Sequence, residues 1–178
     1  MNLDWNILHG IQTSLACPLL DLVMPRLTAL GNSGAIWLVA AGGLLCTRKY
    51  RRQGVILLAG LAAGALVGNV FLKHLVARAR PCWLDPGFSL LIPVPQDYSF
   101  PSGHTLSSFV GATILTRIDR RFGWAAIPLA VLIAFSRLYL YVHFPSDVLA
   151  GAVLGVCIGA GVFFGGEKLL RRQAPLQK

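Results

Sequence analysis

Ser136-Arg137-Leu138-Tyr139-Leu140-Tyr141-Val142-His143-Phe144-Pro145-Ser146-Asp147 lies where one long apolar run ends and the next begins. It carries a guanidinium, an imidazole and a carboxylate, groups that are expensive at the edge of hydrocarbon and tend to mark function there. Pro145 pushes Phe144 out of the helical region and itself suits the first position of a helix. His143 therefore precedes a helix, and Asp147 falls in that helix's first turn. A carboxylate there is favoured by the positive end of the helix dipole and stands in position to orient the imidazole. The spacing suits a buttressed nucleophile or base, or a structural His-Asp pair that ties a loop to a helix.

The surrounding composition sets the class. Of 178 residues, 55% are hydrophobic and 13% charged, and the mean hydropathy is +0.64. An ordinary soluble domain is far more polar, so the chain reads as an all-α integral membrane protein. No Pro/Ser linker, low-complexity segment or internal repeat divides it, which predicts one bundle over residues 1–178. The amino-terminal residues lack the basic start, apolar core and small-residue cleavage site of a signal peptide, so the amino terminus is expected to remain. Cys17, Cys46, Cys82 and Cys157 show no metal-ligand spacing and read as packing residues.

The net charge of +9 raises the question of nucleic acid, but eleven of the sixteen basic residues fall in three clusters. These are Arg48, Lys49, Arg51 and Arg52; Arg117, Arg120 and Arg121; and Lys168, Arg171, Arg172 and Lys178. Each ends an apolar run, the pattern of cytoplasmic loops that fix membrane topology, and no nucleic-acid partner is expected.

The apolar runs predict six crossings: Cys17 to Leu30, the weakest; Ala35 to Cys46; Gly54 to Leu75; His104 to Thr116; Trp124 to Tyr141; and Val148 to Phe164. Gly31-Asn32-Ser33-Gly34 reads as a turn between the first two. With the basic clusters inside, both termini are expected to be cytoplasmic. The polar interval from Ala77 to Pro101 and the Tyr141 to Asp147 corner then share the outer face. Trp83, Phe88, Leu90, Leu91 and Ile92 are too apolar for a solvated loop, so the loop from Cys82 to Phe100 is expected to cover the site from the headgroup layer.

Three polar constellations meet on that face. Lys73 and Arg80-Pro81 are seven residues apart, which on one helix returns to nearly the same face and makes an anion cradle, unless both side chains merely snorkel to the interface. Pro101-Ser102-Gly103-His104 opens a span with unpaired backbone N–H groups, a hydroxyl and no side chain at Gly103. That combination binds a phosphate oxygen, or is simply a Pro/Ser helix start with an interfacial histidine. The third constellation is Arg137 with His143 and Asp147. A serine hydrolase built on Ser102, His143 and Asp147 lacks the strand-to-helix elbow such enzymes use, and a transporter lined by these charges is the non-enzymatic alternative.

Together Lys73-x6-Arg80-Pro81, Pro101-Ser102-Gly103-His104 and Ser136-Arg137-x5-His143-x3-Asp147 resemble the tripartite signature of the type 2 phosphatidic acid phosphatase superfamily, which includes glucose-6-phosphatase and the vanadium haloperoxidases. The resemblance covers residues 73 to 147 and implies cofactor-free, metal-free phosphoester or pyrophosphate hydrolysis. In that scheme His143 attacks phosphorus, Asp147 holds its imidazole and His104 protonates the leaving oxygen. Lys73, Arg80, Ser102, Gly103 and Arg137 bind the phosphoryl oxygens. It further implies a lipid phosphate as substrate, handled in the cytoplasmic membrane on its outer side. Undecaprenyl pyrophosphate is the first expectation, and phosphatidylglycerol phosphate and phosphatidic acid are the alternatives.

Overall fold

The computed structural model describes residues 3–173, with side chains to residue 169, and among them every regular element is helical. Helix α1 (Leu3–Leu15) precedes α2 (Pro18–Leu30), which passes through the short turn Asn32–Gly34 into α3 (Ala35–Cys46). Helix α4 (Arg51–Gly64) continues through a π-helical stretch, Ala65–Leu72, into the single turn α5 (Lys73–Val76). After the small α6 (Pro81–Leu84) and a loop come α7 (Gly103–Ile118), α8 (Arg120–Tyr139) and α9 (Pro145–Gln173). The outward sides of these helices are apolar, with Val39 70%, Leu66 62%, Trp124 83% and Leu149 65% exposed, as lipid-facing surface must be. The protein is a multi-pass membrane protein.

Helix α7 is the central post. Trp37 of α3 packs against Gly111 and its indole N–H donates to the Ser108 hydroxyl at 3.1 Å. On α4, a Cβ at Gly60 would meet Ile114 at 2.5 Å, and one at Gly64 would meet Leu106 at 2.6 Å. Helix α9 approaches closest: a Cβ at Gly151 would lie 2.8 Å from the Ser102 carbonyl oxygen and one at Gly155 2.6 Å from that of Leu106. Glycines four apart let two backbones touch where lipid supplies no hydrophobic drive. The consequence reaches the polar end, because the contact brings the starts of α7 and α9 together and the Ser102 N–H donates to the Asp147 carbonyl at 3.1 Å.

The three basic clusters share the opposite end of the bundle, as expected. Arg117 lies over the Phe164 ring at 4.8 Å, Tyr50 meets Phe122 edge-on at 5.7 Å, and Gln53 faces Glu167. Lys178 lies outside the described residues. Of the cysteines, Cys82 is buried as expected, but Cys17, Cys46 and Cys157 are exposed and do not pack in the core.

Of the six crossings expected, three to four have a candidate by length and composition: Arg51–Leu84, α8 and α9 are long and apolar enough to span a bilayer, and α2 with α3 makes a fourth candidate bent by 46°. Helix α7, with 16 residues, also runs between the two ends. The Cys17 to Leu30 run belongs to the bent pair. Cys17 and Asp21 bond the Tyr139 hydroxyl, while Thr28 bonds Arg137 and Asn32 bonds His104, so α2 enters from the polar end and continues as α3. Ser33 (φ 51°) and Gly34 (φ 71°) take left-handed conformations that bend the chain without reversing it. Helix α1 lies at the polar end, against residues 138–146, whereas α9 runs to the basic end.

Candidate active site

Lys73 and Arg80 do converge, but not by helical periodicity. Helix α5 stops at Val76, Ala77 turns left-handed at φ 46°, and Arg80 follows in extended backbone as the cap of α6. The chain reversal turns both side chains into one cavity. Arg80 is 2% exposed and spends its fork on fixed partners: Nε donates to the Asp97 carbonyl at 2.6 Å, Nη1 to the Val142 carbonyl at 2.7 Å and Nη2 to Asp97 Oδ1 at 2.7 Å. Lys73 pairs with the other oxygen of Asp97. Burial works to raise the Asp97 carboxyl, but Lys73 and Arg80 outweigh it and hold the group at about 2.

His143 sits at a corner the chain makes at some expense. Tyr141, fully buried, adopts φ 59° and is clamped by Phe88, stacked at 3.9 Å, and by a bond from its hydroxyl to Asp85. A left-handed aromatic residue costs on the order of 1–3 kcal/mol and persists only where its surroundings enforce it. Beyond the corner, Pro145 opens α9 as predicted, and Asp147 is fully buried. The imidazole and this carboxylate are 3.8 Å apart, Nδ1 to Oδ2, too far for a direct hydrogen bond. Ser99 fills the gap: its Oγ lies 3.3 Å from His143 Nδ1 and donates to Asp147 Oδ2 at 2.6 Å. The Phe144 N–H donates to the same oxygen at 2.9 Å. On the other side of the ring, Arg80 Nη1 stands 3.1 Å from Nε2, so a neutral ring with its proton on Nδ1 accepts from Arg80 at Nε2. Burial, with Arg80, Arg137 and Lys73, keeps His143 well below the ordinary histidine value.

The cavity, about 690 Å³, is bordered by Lys73, Arg80, Gly103, His104, Arg137 and His143, so each of the three sequence blocks sends two residues to one space. His104 Nε2 is 2.9 Å from Asn32 Oδ1. Gly103 leaves room where a Cβ would strike Asn69 at 2.6 Å, and the N–H groups of the first turn of α7 have no intrahelical partner. Arg137 is 4% exposed, bonds Thr28 Oγ1 through Nη1 at 2.6 Å, and keeps a buried Nε with no partner among the described residues. A buried, unpaired guanidinium N–H beside a cavity is a donor that waits for an anion. Ser102 departs from its expected place. It is fully buried, its Oγ accepts from Thr105 at 3.0 Å, and it does not border the cavity, which also removes it as a serine nucleophile.

The PAP2 superfamily model matches residues 53–169. The chain belongs to the PAP2 superfamily. Among relatives, an undecaprenyl-diphosphatase of Sulfolobus acidocaldarius is 37% identical over 122 residues, which are 67% of this chain and 58% of that protein. The chain thus matches somewhat under two thirds of that relative's length. A decaprenylphosphoryl-5-phosphoribose phosphatase of Mycobacterium tuberculosis is 35% identical over 70% of this chain and 68% of its own. The crystal structure of Aquifex aeolicus LpxE superposes with a TM-score of 0.80 at 29% identity, covering 91% of this chain and 95% of the other.

Several side chains of this PAP2 site were not singled out as functional in the sequence. Asp97 is bound into the cation cradle, and Ser99, Asn32, Asn69 and Thr28 are short polar residues with no motif of their own. The only signal was position, since Gly31-Asn32-Ser33-Gly34 interrupts an apolar run and Asp97 and Ser99 immediately precede Pro101. The loop after α6 does cover the PAP2 cavity: Ile92, Pro93, Val94 and Pro95 border it, and Trp83, anchored by its indole N–H to the Pro95 carbonyl, packs with Phe88, Leu90 and Ile92 in the core of the corner. Leu91 points outward, 46% exposed.

Proposed function

We propose that this PAP2 protein is a membrane lipid phosphatase that hydrolyses a phosphomonoester or pyrophosphate headgroup through a phosphohistidine, with undecaprenyl pyrophosphate as the favoured substrate. The observation that carries the reading is the cavity itself. It is bordered by His143, by Arg80 whose Nη1 faces the His143 Nε2, and by Arg137 whose Nε has no partner among the described residues, with the start of α7 and His104 on the same space. Phosphoryl transfer asks mainly for alignment and charge stabilisation, which three cations and helix N–H groups supply.

In the first step His143 Nε2 bonds to phosphorus while the bond to the leaving oxygen breaks, and His104 gives that oxygen a proton. In the second, water attacks phosphorus, His104 takes its proton, and the N–P bond breaks to free phosphate and the imidazole. Asp147, acting through Ser99, supports the positive charge that His143 gains. Lys73, Arg80, Arg137 and the Gly103 backbone hold the phosphoryl oxygens. The similarity to an undecaprenyl-diphosphatase supports the pyrophosphate of a polyprenol, and the site at the end of the bundle opposite the basic clusters supports the outer leaflet. A monophosphate lipid is the second reading, favoured by the similarity to decaprenylphosphoryl-5-phosphoribose phosphatase.

Purified protein in detergent, assayed against undecaprenyl pyrophosphate, phosphatidylglycerol phosphate and phosphatidic acid, ranks the substrates. Turnover is expected to persist in EDTA. With a nitrophenyl phosphate, whose leaving group needs no proton, His104→Ala is expected to trap acid-labile phosphate on the protein, whereas His143→Ala traps none. Label on the His143→Ala protein would reverse the assignment.

A further inference from the structure

Arg78 lies inside the first sequence block without being one of its fixed residues, yet it is the most connected side chain around Asp147. Its Nη1 donates to Asp147 Oδ1 at 2.6 Å and to Ser146 Oγ at 2.7 Å, and its Nη2 donates to Asp4 Oδ2 at 2.7 Å. The guanidinium also lies over the Phe144 ring at 4.2 Å, and Trp5 of α1 meets the same ring edge-on at 5.0 Å. The backbone takes part as well, because the Arg78 carbonyl accepts from the Ser99 N–H at 2.8 Å. Asp4 closes the ring of contacts: Oδ1 accepts from the Ser146 N–H at 3.0 Å and Oδ2 from the Ser146 hydroxyl at 2.6 Å.

The two oxygens of Asp147 are thereby divided. Oδ2 faces His143 and takes Ser99 and Phe144, while Oδ1 takes Arg78. A buried carboxylate with one oxygen unpaired rotates toward whatever donor it finds and loses its fixed relation to the imidazole. Arg78 prevents that rotation. Its own charge, however, would drain the carboxylate's support of a cationic imidazole unless something balanced it, and Asp4 does so.

We propose that Arg78, held by Asp4 of α1, is a positioning residue for the reaction. It fixes Asp147 from the side away from His143 and Ser99 from the backbone, so that docking of α1 on the 144–147 corner sets the turnover of the nucleophile. This rests on the reading of His143 and Asp147 as the reacting pair. It also gives α1 a task that a helix lying across the end of the bundle would otherwise lack.

The test is steady-state kinetics of the full chain in detergent with a short soluble phosphate ester, so that binding of a lipid tail does not enter. Arg78→Gln is expected to lower kcat by about ten- to a hundredfold, the size seen when an outer partner of an orienting group is removed, with KM nearly unchanged. Arg78→Lys, which keeps the charge but not the fork, is expected to recover part of the loss. Asp4→Asn is expected to lower kcat less, and the double variant Asp4→Asn with Arg78→Gln to be no slower than Arg78→Gln alone, since both act on one path. Wild-type kcat in a folded Arg78→Gln protein would overturn the proposal, as would losses that multiply in the double variant. Should Arg78→Gln fail to fold, Asp4→Asn decides, and unchanged kcat there overturns the role of α1. Asp147→Asn is run in parallel: if it turns over at the wild-type rate, the reading of the reacting pair falls, and if it alone is slow, only the positioning role falls.

Discussion

The Asp97 carboxylate is bonded to the buried Arg80 guanidinium, Oδ1 accepting from Nη2 at 2.7 Å, in the space where a substrate phosphoryl group is expected to sit. Its second oxygen takes Lys73, so one loop carboxylate neutralises two of the three cations of the cradle. A phosphate must displace it.

Removing that competitor without removing the side chain is expected to strengthen anion binding. Asp97→Asn should lower the inhibition constant of inorganic phosphate by about tenfold, equivalent to about 1.4 kcal/mol, since charge-assisted bonds to Lys73 and Arg80 are freed for the ligand. With its pKa held at about 2, Asp97 keeps its charge from pH 6 to pH 8, so the competition it offers is present throughout that range. An inhibition constant that rises in Asp97→Asn would show that the carboxylate orders the cradle and does not compete for it.

The depressed pKa of His143 predicts a contribution to acid sensitivity. Its folded value lies well below the ordinary value of 6.5, so below that pH the unfolded chain binds a proton that the folded chain refuses. Stability therefore falls as pH drops through about 6.5, by at most about 1.4 kcal/mol per pH unit from this group. Denaturation of wild type and His143→Gln in detergent, compared between pH 7 and pH 5, should show the wild type losing more. Parallel curves would mean that the imidazole is not held neutral.

The packing of the helices places α1 and the covering loop at one end of the bundle and the basic clusters at the other. On a cysteine-free background, Asn6→Cys and Gln96→Cys are expected to react with an impermeant reagent from the same side of the membrane, and Gln53→Cys only from the opposite side. Six crossings would instead put Asn6→Cys with Gln53→Cys. Labelling in intact cells and after permeabilisation separates the two arrangements.

How much of this was readable beforehand differs from residue to residue. The start of α9 at Pro145, with Asp147 in its first turn, followed from local rules, because a proline restricts its own φ and its neighbour's regardless of what packs around them. Lys73 and Arg80 were correctly paired for a mistaken reason. A seven-residue interval satisfies helical periodicity, yet Ala77 breaks the helix, and nothing about an alanine announces a left-handed φ of 46°. The Gly31-Asn32-Ser33-Gly34 stretch was recognised as a break, but whether a break reverses a helix or bends it depends on what lies on either side. Here Trp37 packed on Gly111 and Thr28 bonded to Arg137 decide for a bend.

The sequence by itself determined the membrane class, the grouping of basic residues at one end and the candidates for the reacting groups, because hydropathy, charge and motif spacing act over short stretches of chain. Only the tertiary structure decided the run of α2 into α3, the bridge of Ser99 between His143 and Asp147, the occupation of the cradle by Asp97 and the hold of α1 and Arg78 on Asp147. Each of these is a contact between residues far apart in the chain, made by short polar side chains whose partners are set by how closely α9 and α7 approach through Gly151 and Gly155. A hydrogen bond needs its partner within about 3 Å, and at these positions packing, not spacing along the chain, brings the partners that near.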